Sequence, residues 1–394
     1  MKVAYILSST DDFAGSTRSF LTLLPGLMAQ GVQPVVIVPE EGGVCGKLRE
    51  MGAKVHVLTY RCSVYPRWRT LRDVLLFLPR LAYQLLVNTL VIEPLARLLR
   101  EEHVVLVHSN VSILRVGHLA ARRLGIPHIF HIREYADRDF ALHYIPTAAR
   151  YRTQFVAPGN YSICITRDIQ QYHGLGEVQG SLAVYDGICH RSQKLGEEPR
   201  NNYFLFAGHV EPAKDVLQMV RAYIRYAQQS VAPIPLWIAG GSDNPAYVAE
   251  VKATVERAGL SNLVQFMGER SDIQELMQRA RCIIIPSHSE GFGRCMAEAM
   301  FNGCLVVGYD AAGTHEQFEN GLRLAQDEIG IRYRTEDELV QALQRVAVAD
   351  HAAYQPMRER AYQVVNELYT IERNVADVYA MYCEITKSAT SEKP

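Results

Sequence analysis

Apolar residues along the chain gather in short runs that alternate with longer stretches of helical spacing. In the first half the runs are "KVAYILSS", "PVVIVPE", "AKVHVLTY", "VVLVHSN", "PHIFHIRE" and "SICITR". In the second half they are "YFLFAGHV", "PLWIAGG", "LVQFMGE", "CIIIPSH" and "CLVVGYD". Each is apolar on both faces, so each predicts a strand of a parallel sheet covered by helices on both sides. Residues 17–30, 215–229, 245–258 and 272–281 carry the helical spacing between them. Two such series in 394 residues predict two doubly wound α/β domains, because one core does not grow to that size. The polar stretch "HRSQKLGEEPRNN", residues 190–202, predicts the linker, and the tail from about Tyr354 to Lys387 reads as helical.

Residues 61–100 break the alternation. They are apolar and helical, with interruptions expected at Pro79 and Pro94, and Gln84, Asn88 and Glu93 dilute them. No uncharged run reaches the ~18 residues that a membrane span needs. The segment opens with Arg61, Tyr65, Arg67, Trp68, Arg69 and Arg72, a basic and aromatic start. Two arrangements fit: helices lying in a membrane interface, or a helical pair packed on the first domain.

The densest chemistry lies in "PSHSEGFGRCMAEAM", residues 286–300. The preceding run "CIIIP" is a buried strand, so Glu290 sits at the carboxyl end of a parallel strand, where ligands bind in open α/β sheets. Gly291 and Gly293 let backbone approach a ligand closely. From Arg294 the pattern is helical and stops at Gly303, which predicts a helix N-terminus able to hold a phosphate. Glu298 then lies about one turn into the helix, and the two carboxylates flank the phosphate position. That spacing suits a nucleotide sugar, with sugar hydroxyls at Glu290, diphosphate at the helix start and ribose at Glu298. The plainer alternative has Glu290 capping the helix and Glu298 in solvent.

Composition narrows the partners. A formal net charge of −1 argues against nucleic acid. Residues 1–190 nevertheless carry 20 Lys and Arg against 15 Asp and Glu, and the remainder 21 against 27. A basic first half suits an anionic acceptor or membrane surface, although chance would also produce it. The eight cysteines are scattered without a C-x-x-C pair, so they predict reduced core thiols of a cytoplasmic protein. The N-terminal apolar run is too short for a signal peptide.

The same stretches resemble glycosyltransferase family 4, a group of retaining enzymes. "PSHSEGFGRCMAEAMFNGCLVVGYDAAGTHEQF" is similar to the family's Glu-x7-Glu segment, next strand and Gly-rich turn ending in Glu316. "FAGHVEPAKDVLQMVRAY", "FAGSTRSFLTLLPGLMAQGVQPVVIVPE", "GIPHIFHIREY" and "VYDGIC" resemble further family segments in the right order. The resemblance implies a GT-B fold, with two Rossmann-like domains facing each other across a cleft. The first would comprise residues 1–189 and bind acceptor, completed by helices at 365–394; the second, 190–364, would bind the donor. The implied reaction moves a sugar from a nucleoside-diphosphate-sugar donor to a glycan or lipid-linked acceptor, with no cofactor and no metal. Glu290 would hold the donor sugar, Glu298 the ribose and Lys214 the diphosphate. Gly291, Phe292, Gly293 and Arg294 would shape the donor pocket, and Gly15 and Ser16 would close over the phosphates. His131 would approach the donor sugar from the other domain, and Arg133 and Glu134 would sit near the acceptor. Taken singly, Lys214 also reads as a solvated helix start and His131 as a core histidine.

Two positions depart from the family pattern. His209 stands where an arginine is usual, which removes a bidentate phosphate contact. Asp186-Gly187 stands where Asn-Gly is usual. A nicotinamide dehydrogenase is excluded because "LSSTDDFAGSTRS" lacks the G-x-G-x-x-G turn. A non-catalytic binding or scaffold protein of the same fold stays open, as does contact between residues 61–100 and the inner face of a membrane.

Overall fold

The computed structural model describes every residue except 13, 67, 69, 192–200 and 392–394. Residues 192–200 of the expected linker lie outside the described residues. The chain divides into two compact units, Met1–Gly187 with Ile371–Pro394, and Ile188–Thr370. These crossing points replace the boundaries at 189 and 364, and local pairing explains the shift. Ile188 N–H donates to Tyr369 C=O at 2.7 Å, and Cys189 bridges Thr370, so the outgoing and returning chain are tied together inside the second unit. One residue earlier, a Cβ on Gly187 would sit 2.7 Å from the Ile371 Cα, so only glycine allows that approach.

The first unit is a seven-stranded parallel sheet: β1 (Lys2–Ile6), β2 (Gln33–Val38), β3 (Lys54–Val57), β4 (Leu106–Ser109), β5 (His128–Ile132), β6 (Asn160–Cys164) and β7 (Ser181–Ala183). The strand order is 3-2-1-4-5-6-7, with Ala4 opposite both Val35 and Val107. Successive residues of β1 feed two cores. Val3 and Tyr5 join Phe20, Leu24 and Val378 on one face, while Ala4 and Ile6 join Leu95, Leu99 and Val116 on the other. This two-sided burial is why the strand reads as continuously apolar. The helix Ile371–Ser391 closes the first face with Val375, Val378 and Tyr382.

The second unit holds β8 (Phe204–Ala207), β9 (Leu236–Ala239), β10 (Val264–Gly268), β11 (Cys282–Ile285), β12 (Val306–Tyr309) and β13 (Ile331–Tyr333), in the order 10-9-8-11-12-13. The expected helices stand at Val216–Gln229, Pro245–Arg257 and Ile273–Arg279. The helical tail is two helices, Gln355–Leu368 and Ile371–Ser391, parted where the chain returns to the first unit. Strands β7 and β13 have three residues each, too few to show in an apolar pattern.

Residues 61–100 form helices Leu71–Leu75, Phe77–Leu90 and Ile92–Glu101. The preceding helices end at Leu75 and Leu90, four residues before Pro79 and Pro94, so the stretch is interrupted as expected by the missing N–H of each proline. Each is the third residue of its helix, where the backbone N–H has no intrahelical acceptor and proline is tolerated. Of the two arrangements expected, packing holds for Ile92–Glu101, which buries Leu95, Ala96 and Leu99. The other two helices bury nothing, and Leu71, Leu75 and Leu78 are 78%, 72% and 72% exposed. Among the described residues no helix is long and apolar enough to cross a membrane.

Candidate active site

In a doubly wound sheet the ligand crevice opens at the carboxyl ends of the strands where the order reverses. In the second unit that point lies between β8 and β11. After β8 come Gly208, the exposed His209 and a single 3-10 turn, Pro212–Lys214. After β11 comes the loop carrying Glu290. Lys214 Nζ donates to Glu290 Oε1 at 2.6 Å, joining the two strand ends. The pair is partly exposed, 35% and 18% for the two side chains.

Gly293 follows with φ +81°, and the helix Arg294–Phe301 begins directly after it. A side chain is strained at that φ, so glycine is required. Arg294 donates to Glu298 Oε1 at 3.2 Å one turn along. Both glutamates of the Glu-x7-Glu segment are thus each held by a cation beside a helix N-terminus. Cys295 points its thiol at Ala207 C=O (3.2 Å), docking the helix start on the end of β8; burial, then Glu298 and Glu290, push that thiol's pKa upward.

The loop is clamped from the helix Ala312–Ala325. Gln317 Nε2 donates to Phe292 C=O at 2.5 Å and Gly293 C=O at 3.1 Å. Gly313 N–H donates to Glu290 C=O at 2.9 Å, and a Cβ on Gly313 would lie 2.7 Å from the Glu290 and Gly291 oxygens. Phe292 buries its ring edge-on against Tyr369, 5.1 Å between centroids, so it faces any ligand only through its backbone. Gly313 lies in the Gly-rich turn visible in the sequence, whereas Gln317 gave no signal there.

In the first unit the strand order reverses between β1 and β4. Gly15 and Ser16 are the first two residues of the helix Gly15–Ala29, and Asn110 donates to Ser16 C=O at 2.9 Å. The neighbouring Phe13 lies outside the described residues. His131, near the end of β5, is fully buried, and its Nε2 has no partner among the described residues. Burial first, then the charge of Arg133, holds its pKa well below the usual histidine range.

Arg133 and Glu134, expected near an acceptor, are committed to internal partners. Arg133 donates to Asp186 Oδ1 (2.7 Å) and Asn110 C=O (3.0 Å), and Ser19 donates to Asp186 Oδ2 (2.6 Å). Glu134 accepts from Ser112 Oγ (2.7 Å), Ser112 N–H (2.9 Å) and Arg133 N–H (3.1 Å). Burial nevertheless pushes its carboxyl up to about 7, and that of Asp139 up to about 6. Asp186 is therefore the counter-charge of a buried arginine, a role its turn chemistry alone did not reveal.

Comparison with known proteins bears on these sites. Residues 190–364 match the family model for glycosyl transferases group 1, and residues 14–165 match that for the glycosyl transferase 4-like domain. A D-inositol 3-phosphate glycosyltransferase of Jonesia denitrificans is 34% identical over 125 residues, 30% of this chain and 29% of that protein. The lipopolysaccharide core biosynthesis mannosyltransferase LpcC of Rhizobium leguminosarum bv. viciae is 31% identical over 183 residues, 44% of this chain and 49% of that protein. The chain thus spans no more than about half the length of these curated relatives. Among solved structures, HepE from Anabaena in complex with UDP superposes with a TM-score of 0.77 at 18% identity, covering 98% of this chain and 100% of that one. The same protein has been solved with UDP-glucose. At such identity the likeness establishes the fold alone, the GT-B class with two Rossmann-like domains.

Proposed function

The chain belongs to the group 1, family 4-like glycosyl transferases, and from that premise we propose that it moves a sugar from a nucleoside-diphosphate donor to an acceptor hydroxyl with retention of configuration. The observation that carries this reading is the Lys214–Glu290 pair beside the N-terminus of the helix Arg294–Phe301. When donor binds, Lys214 exchanges a carboxylate oxygen for a phosphate oxygen, and Glu290 is released to accept from sugar hydroxyls. Lys214, Arg294 and the helix N–H groups then face the diphosphate. They stabilise the negative charge that grows on the departing nucleoside diphosphate. Glu298 accepts from the ribose.

The donor site needs no metal in this reading, because these groups supply the positive charge. Turnover should therefore survive EDTA; loss on chelation with recovery on one divalent cation would refute this. The ligands of HepE make UDP sugars the first donors to try, with GDP sugars next. The deciding experiment is a screen of nucleotide release across both sets, with Glu290→Ala as the control. Release from one donor, absent in the control, is expected. No release from any donor would favour a non-catalytic binding protein, a reading to which His209 in place of arginine lends weight.

The acceptor we propose is a lipid-linked or surface-polysaccharide precursor, met at the inner face of a membrane by a cytoplasmic protein. Support comes from the exposed leucines of the helices Leu71–Leu75 and Phe77–Leu90, with Trp68 stacked on Phe77 at 5.7 Å and 68% exposed. Arg67 and Arg69, part of the same expectation, lie outside the described residues. Sedimentation with anionic vesicles at low salt should fall when Trp68, Leu71 and Leu75 become serine. Equal sedimentation of both proteins would remove the membrane contact.

A further inference from the structure

The helix that ends the first unit reaches a pair of buried histidines on its sheet. Tyr382 of that helix places its hydroxyl 2.5 Å from His108 Nδ1, at the end of β4. His108 Nε2 lies 3.0 Å from His131 Nδ1, and Arg133 Nη2 lies 3.3 Å from that same nitrogen. Tyr382, His108, His131 and Arg133 are all buried.

The protons in this chain can be placed by elimination. A guanidinium has donors and no acceptor, so His131 Nδ1 accepts from Arg133. The ring then carries its single proton on Nε2. His108 Nε2–H donates to the same Nδ1, which leaves His108 Nδ1 to accept from the Tyr382 hydroxyl. At the far end the Tyr382 hydroxyl is also turned to donate to Tyr5 Oη at 3.4 Å, a contact too long to compete for the proton with His108 Nδ1. The protons of Tyr382 and His108 are then both directed toward His131. The opposite tautomer would aim an N–H of His131 at the N–H groups of Arg133 in a buried site, where such a conflict is costly.

We propose that Tyr382 and His108 are positioning residues that, with Arg133, lock His131 in the Nε2–H form, so that it offers the substrate a hydrogen-bond donor and not a base. The proposal rests on the reading that His131 faces the donor sugar. The ligand atom it fits is a sugar oxygen acting as acceptor. Electrostatics agree with the geometry. Burial, and then the charge of Arg133, lowers His108 to about 3 and keeps His131 well below its ordinary value, so both rings stay neutral.

The test is the side-chain nitrogen spectrum of protein labelled with nitrogen-15 histidine, recorded between about pH 5 and 8, where free histidine titrates. His131→Gln and His108→Gln assign the signals. His131 is expected to show a proton-bearing Nε2 and a bare Nδ1 throughout, and His108 the same. Tyr382→Phe keeps the ring and removes the hydroxyl; the two His108 signals should then move toward each other as a second tautomer appears. A proton on His131 Nδ1, or titration of His131 in this range, would overturn the proposal from the wild-type spectrum alone. Unchanged His108 signals in Tyr382→Phe would remove Tyr382 from it. The underlying reading is checked separately by nucleotide release from His131→Ala. Wild-type release there, with the expected tautomer in the spectrum, would sink the sugar contact and leave the lock standing.

Discussion

The two units hold their candidate chemistry in opposite ways. In the second, Lys214–Glu290 and Arg294–Glu298 lie on a loop and a helix start, partly open to solvent. In the first, Arg133–Asp186 is buried, with 6% and 5% of the side chains exposed, and the histidines around it are neutral. Exposed pairs are worth up to about 1 kcal/mol and can be exchanged for a ligand. A buried pair cannot lose one partner without leaving a charge in a low dielectric. One site is therefore free to trade partners, and the other is fixed before any ligand arrives.

The sharpest way to break this contrast is to remove one carboxylate from each pair. Asp186→Ala should destabilise the first unit by about 3–5 kcal/mol in urea unfolding, because Arg133 loses its buried counter-charge. Asp186→Asn should cost less, since it keeps hydrogen-bonding capacity. An Asp186→Ala protein as stable as wild type would show that the pair is not structural. Glu290→Ala should do the reverse, cutting turnover roughly a hundredfold with an unchanged unfolding midpoint, as the loss of charged hydrogen bonds to substrate implies. If both variants lose stability equally, the contrast fails.

A third effect is set by pH. Glu134 and Asp139 have folded pKa values of about 7 and 6, above the ordinary 4.5 and 3.8. Groups raised in this way add stability below the unfolded value and lose it as pH rises through the folded one. The buried histidines, with lowered values, act in the opposite sense and lose stability as pH falls below about 6.5. Comparing wild type with Glu134→Gln isolates the carboxyl. The variant's relative stability should rise between about pH 4.5 and 7 by on the order of 2 kcal/mol. Hydrogen exchange in β4 and β5 measures it, and a difference independent of pH would mean that Glu134 stays ionised. The smallest effect belongs to the exposed loop. His209→Arg should tighten donor binding by about 1 kcal/mol in calorimetry, the scale of one added hydrogen bond. Equal affinity would place residue 209 away from the phosphates.

These differences also explain what was legible in the sequence. Eleven segments could be read directly as apolar runs, most of them buried on both faces although β3 and most of β10 are part-exposed, while three-residue β7 and β13 could not. Glu290, Gly293 and Glu298 stood out because glycine, a strand end and a helix stop surround them. Arg133 and Glu134 were located, yet their burial was invisible, because a charged residue at a strand end looks the same whether its partner is solvent or Asp186. Gln317 and Tyr382 act from distant helices, and a single polar residue in a helical pattern carries no mark of what it reaches. The prolines at 79 and 94 marked the breaks for a local reason, since each lacks the N–H that would carry the preceding helix on.

The return of the chain at Ile371 also fixes an order in time. The ribosome releases β1 to β7 before the second unit, but Val375, Val378 and Tyr382, which close one face of their sheet, emerge only after it. Throughout synthesis of the second unit that face lacks its covering helix, a condition that invites association with other apolar surfaces. Nascent chains halted before residue 371 should bind an apolar dye more strongly than full-length protein, and equal binding would show that the first unit closes without its last helix. The first unit is thus the earlier to begin folding and the later to finish.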